Sequence, residues 1–80
     1  MKKHIVAREL PDELLLYDPQ TDAVHILNPT ARMIFTRHDE GASPEDIVAA
    51  LRQRYEIAAG IDVLADVRTC LETFRQKNLI

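Results

Sequence analysis

Ala23-Val24-His25-Ile26-Leu27-Asn28-Pro29-Thr30-Ala31-Arg32-Met33-Ile34-Phe35 is the stretch whose reading decides the fold. Ala23 to Leu27 is a short run with strand character. Asn28 then offers a side-chain oxygen to the free amides of a helix start, and Pro29 suits a first helical position, where no amide is required. Beyond it Ala31, Ile34, Phe35 and His38 recur at spacings of three and four, one face of a helix over about 29–38. The chain therefore changes from strand to helix at Asn28.

Toward the N-terminus, Glu13-Leu14-Leu15-Leu16-Tyr17 is a second short apolar run. It is joined to Ala23–Leu27 by the polar cluster Asp18-Pro19-Gln20-Thr21-Asp22, which predicts a hairpin. Ile5 to Arg8 is a further short strand, broken by Leu10-Pro11-Asp12. Toward the C-terminus, Ser43-Pro44-Glu45-Asp46 is a second helix start, with Ile47, Val48, Leu51 and Tyr55 as its buried stripe. Asp62 caps a third helix whose stripe is Val63, Val67, Cys70, Leu71 and Phe74. Asn78 suits a left-handed stop, with Leu79 folding back on the last turn. The order predicts an α+β, winged helix-turn-helix-like fold. A three-stranded antiparallel sheet at the N-terminus is followed by a three-helix bundle, as a single domain over residues 1–80.

Composition narrows the function. Apolar residues at 46% and charged residues at 29% describe an ordinary globular chain rather than a disordered one. A net charge of -3 makes a poor general ligand for nucleic acid or anionic lipid. No apolar run is long enough for a membrane span, and Ile5-Val6-Ala7 is too short for a signal-peptide core. Cys70 has no partner for an internal disulfide, so a cytoplasmic setting is expected. Two glycines in the chain exclude a glycine-rich phosphate loop.

The candidate chemistry is thin. His4, His25, His38 and Cys70 fall at no metal-ligand spacing, so no metal is expected. Cys70 sits in mid-helix on an apolar stripe, away from the helix start that would activate a thiol. Ser43 has no matching base, and the paired carboxylates Asp39-Glu40 and Glu45-Asp46 read as solvated or complementary to a helix dipole. No catalytic residue and no cofactor are expected.

Two binding classes compete. Three helices and a small sheet are the parts of a DNA-binding winged helix. Its reading helix would hold Asp62, Asp66 and Glu72 against Arg68, Arg75 and Lys77, a balance lacking the cationic excess that phosphate binding needs. The other class is peptide recognition. A three-stranded sheet has two edges, and Ala23–Leu27, with no proline or inward charge to block pairing, is expected to be one open to an incoming strand. A second copy pairing through that edge, giving a homodimer, is the third alternative.

The ordered set of features resembles the family of pyrroloquinoline quinone biosynthesis protein D (PqqD). It comprises the hairpin ending in Ile26-Leu27-Asn28, then Thr30-Ala31-Arg32-Met33-Ile34, Gly41, and Ser43-Pro44-Glu45-Asp46-Ile47-Val48. Leu51 through Tyr55, Asp66-Val67 with Leu71 and Phe74, and Asn78-Leu79-Ile80 complete it. The chain departs from the family pattern in having Asp39-Glu40-Gly41, one residue longer than the usual Asp-Gly, and Asn78 where a glycine is usual. The resemblance implies a non-catalytic chaperone that holds the leader of a ribosomally made precursor peptide and presents it to a modifying enzyme. That enzyme is often a radical S-adenosylmethionine enzyme, as in pyrroloquinoline quinone biosynthesis. It further implies that the leader adds as a strand beside Val24, His25, Ile26 and Leu27, against a helix wall of Asp66, Val67, Cys70, Thr73 and Phe74. On that helix Asp66, Cys70, Thr73 and Lys77 form the stripe next to the core stripe and are the better expectation for peptide contact.

Overall fold

The computed structural model describes residues 1–80. The element order is β1 (Val6–Glu9), β2 (Leu14–Asp18), β3 (Ala23–Leu27), α1 (Pro29–Asp39), α2 (Pro44–Arg54) and α3 (Val63–Gln76). The sheet is antiparallel in the order β1-β2-β3, so β3 is an edge strand. The expected α+β, winged-helix-like architecture is the one observed.

Local chemistry sets the helix starts. Asn28 accepts from the Ala31 amide at 2.8 Å. Ser43 and Asp46 form a reciprocal capping box, and the Asp62 carboxylate accepts from the Ala65 amide at 3.0 Å. Each satisfies amides that a helix start leaves free. α3 ends as a Schellman motif. Asn78 takes φ 62, the Leu79 amide donates to the Phe74 carbonyl at 2.9 Å, and Leu79 is fully buried.

The core is one cluster. Leu14 and Leu16 of β2, Leu27 of β3, Ile34 and Phe35 of α1, Ile47 and Leu51 of α2, and the stripe Val63, Val67, Leu71 and Phe74 of α3 all join it. Phe35 meets Phe74 edge to face at 5.4 Å. α1 is the bridge of the fold, packing on β3, α2 and α3.

Two expectations need correction. β1 begins at Val6 rather than Ile5, because Ile5 turns into the core after its amide bonds to the Lys2 carbonyl. Asp18, expected in the polar turn cluster, is the last residue of β2 and is 2% exposed. Period-two alternation places it on the core face with Leu14 and Leu16, and partners compensate its burial. Its carboxylate accepts from the Gln20 amide at 2.9 Å and lies 3.4 Å from His4 Nε2. Burial pushes the Asp18 carboxyl up. The Gln20 amide and the nearby His4 and Thr21 side chains outweigh that and hold it below its ordinary value.

Candidate peptide-binding site

β3 is paired on one side only. In an antiparallel ladder successive residues direct their N–H and C=O groups alternately to either side, so part of the β3 backbone faces open space. β1 is the other edge, but it bears the charged pair Arg8-Glu9, of which Glu9 is drawn to Arg32 at 3.3 Å. Charge on an edge discourages strand addition, whereas Ala23–Leu27 holds no Asp, Glu, Lys or Arg.

The register divides the β3 side chains between two faces. His25 lies opposite Leu16, which is fully buried, and so belongs to the helix side of the sheet. Val24 and Ile26 lie opposite Tyr17 and Leu15 on the outer face and are 55% and 57% exposed. Leu27 is buried in the core. Of the four β3 positions expected at the site, His25 alone turns a half-buried side chain toward the helices. The Leu10 amide donates to the Glu13 carbonyl, so alternation along β2 turns Leu14, Leu16 and Asp18 to their partners Leu27, His25 and Ala23 and leaves the Val24 and Ile26 backbone to the open edge.

The helix wall divides in the same way. Val67 and Phe74 are 0% and 3% exposed and lie behind the surface as core. Asp66 is exposed, and Cys70 and Thr73 are half-buried, as the stripe flanking the core requires. The Thr73 hydroxyl donates to the Thr69 carbonyl at 3.0 Å, which keeps it close to its own helix. Burial pushes the Cys70 thiol up from its ordinary value, so it is held as a thiol rather than an activated thiolate.

A cavity of about 340 Å³ opens where β3 runs into α1. Thr30 and Ile34 of α1, Leu51 and Tyr55 at the end of α2, Ile61 of the following loop, and Asp66 of α3 line it. It is mainly apolar, and its lip includes Ile61, an exposed isoleucine. Sequence reasoning missed Thr30, Ile57 and Ile61 here. The one available signal was the apolar pair Ile57 and Ile61 in an otherwise polar connection.

The DNA reading loses its cations. Arg68 is engaged by Glu45 of α2 at 3.3 Å and Arg75 by Glu72 at 3.1 Å, leaving Lys77, the residue that caps the end of α3, as the one cation of the segment outside an ion pair.

A small winged-helix-like domain with a sheet edge left unpaired is the class of protein that the fold defines. The sequence matches the family described as Coenzyme PQQ synthesis protein D (PqqD) over residues 13–80, and the chain belongs to that family. Among solved structures it is similar to TbiB1 in complex with the TbiA(beta) leader peptide. The identity there is 28% and the TM-score 0.86, with 99% of this chain and 91% of that chain covered. It also shares its fold with lasso peptide synthetase B1 complexed with the leader peptide, at 24% identity and TM-score 0.83, covering 95% of this chain and 88% of that one. No curated protein sequence matches it. No helix is long and apolar enough to cross a membrane.

Proposed function

We propose that this chain is a non-catalytic recognition partner that binds the leader of a ribosomally made precursor peptide. The leader adds as a strand to β3, against the Asp66-Cys70-Thr73 flank of α3. The bound precursor is then presented to a separate modifying enzyme, with the radical S-adenosylmethionine class as the first expectation. The observation that carries this reading is the open, uncharged β3 edge in a chain of this family, whose structural relative TbiB1 was solved holding a leader peptide. Backbone pairing along β3 supplies affinity, and side chains alternating toward α3 supply selectivity. The unpaired Cys70 supports work in a reducing, cytoplasmic setting.

The test uses a display library of random 14-residue peptides selected on the immobilised protein. Enriched peptides should shift the backbone amide resonances of residues 23–27 and of α3. Two proline variants then address the mechanism. The His25 N–H faces β2 and the Ile26 N–H faces the open edge. Proline at the outward position should leave the protein folded and abolish binding, while proline at the inward one should also weaken the fold. Undiminished binding by both variants, or shifts confined to β1, would overturn strand addition at β3. The edge could also pair with a second copy. A dimer that dissociates when peptide is added would fit the same edge, and one indifferent to peptide would not.

A further inference from the structure

The flank of α3 beside β3 carries opposite charges at its two ends. At 100° per residue Asp66, Cys70, Thr73 and Lys77 share this flank, and the helix's internal ion pairs lie elsewhere around it. Arg68 is turned to Glu45 of α2, and Arg75 is paired with Glu72. Asp66 and Lys77 are both exposed and neither belongs to an ion pair. Between them Cys70 and Thr73 are uncharged.

The two ends of the flank register with the two ends of β3. Thr30, just past the exit of β3, lines the same cavity as Asp66. At the other end the Lys2 amide donates to the Leu79 carbonyl at 3.2 Å, and His4 stands 3.4 Å from Asp18, whose partner on β3 is Ala23. Asp66 thus stands near the Leu27 end of β3. Lys77, two positions before Leu79, lies at the opposite end of the flank, the end that the N-terminal segment joins to the Ala23 side of the sheet, and Lys2 of that segment is a second exposed cation.

We infer that the groove between β3 and α3 reads a charge-ordered peptide, with a cationic side chain held at the Asp66 end and an anionic one at the Lys77 end. The inference rests on the peptide-docking reading above. Eleven helical positions at 1.5 Å each separate the two charges by about 16–17 Å. A strand covers that in about five residues at 3.3–3.4 Å each. Both side chains must face α3, and strand faces alternate, so the spacing in the peptide is four or six residues. Both strand pairs of this sheet are antiparallel. A strand added in the same sense begins beside Leu27, so its cation comes first and its anion follows.

The same random 14-residue library tests this when selected in parallel on the native protein and on the charge-exchanged Asp66→Lys/Lys77→Asp variant. The native protein should enrich Lys or Arg followed four or six residues later by Asp or Glu, and the exchanged protein should enrich the reverse order. A synthetic peptide of the native consensus should lose about threefold in affinity for each of Asp66→Asn and Lys77→Gln, an exposed-pair effect that fades as salt is raised. Enriched peptides without the charge pair, or with an order that does not reverse on the exchanged protein, would overturn the charge reading and leave peptide docking standing. Failure of both proteins to enrich any sequence would overturn the docking reading, and the charge reading with it.

Discussion

Arg32 is the residue whose replacement tests how α1 is seated. Its guanidinium leaves the first turn of α1 and crosses to the turn between β1 and β2, donating to the Leu10 carbonyl at 3.0 Å and the Glu13 carbonyl at 3.2 Å. A third contact, to Glu9 at 3.3 Å, reaches a carboxylate that is 80% exposed. Arg32→Met keeps most of the aliphatic stem and removes all three. A charged donor on a carbonyl contributes roughly 1.5–3 kcal/mol when buried. The Arg32 side chain is 28% exposed, so water replaces part of each bond, and the Glu9 pair adds at most about 1 kcal/mol. The expected loss is about 2 kcal/mol. In a domain this small that lowers the melting temperature by about 8–16 °C. It is also a large share of the roughly 3–5 kcal/mol that a core of this size supplies. Thermal unfolding by circular dichroism, with Glu9→Gln as the control, measures it. Glu9→Gln should shift the midpoint by only a few degrees. A midpoint for Arg32→Met within about 3 °C of the native protein would refute the bridging role. An equal fall in both variants would transfer the effect to the ion pair.

Three further outcomes follow from the titrating groups. Asp18 is held below its ordinary value in the folded state, so its contribution is present above the unfolded carboxylate value near ~3.9 and is lost as pH falls through the lower native value. Urea midpoints should therefore drop from about pH 4 downward in the native protein and less steeply in Asp18→Asn; equal slopes would count against the Asp18 account. The Tyr17 hydroxyl donates to Asp22 at 2.7 Å, and that bond, then burial, then the Asp22 and Asp18 charges raise its ionisation above the ordinary value. Asp22→Asn should bring the tyrosinate absorbance transition down in pH, and an unmoved transition would deny the contact. Cys70, held as a thiol on the proposed docking flank of α3, should react slowly with a thiol reagent at neutral pH and more slowly still with an enriched peptide bound. A labelling rate indifferent to peptide would place the peptide elsewhere.

Much of this protein is legible in short segments, because the signals are local. Asn28-Pro29, Ser43 with Asp46, Asp62 and Asn78 each act on amides or carbonyls only a few positions away, so the starts of all three helices and the end of α3 follow from residue chemistry. Hairpin order alone makes Ala23–Leu27 an edge, and the stripe Val63, Val67, Leu71 and Phe74 proves to be core. Tertiary structure decided the rest. Alternation separates Val24 and Ile26 from His25, but only the helices packed on one side of the sheet determine which set faces inward. Arg32 meeting Leu10, His4 meeting Asp18, and Thr30 sharing a cavity with Asp66 join distant parts of the chain. Such contacts leave no period and no motif, since they depend on how whole elements pack rather than on what stands beside each residue. The elements of this protein are written along its chain, while the buried and open faces of its sheet and helices exist only once those elements have met.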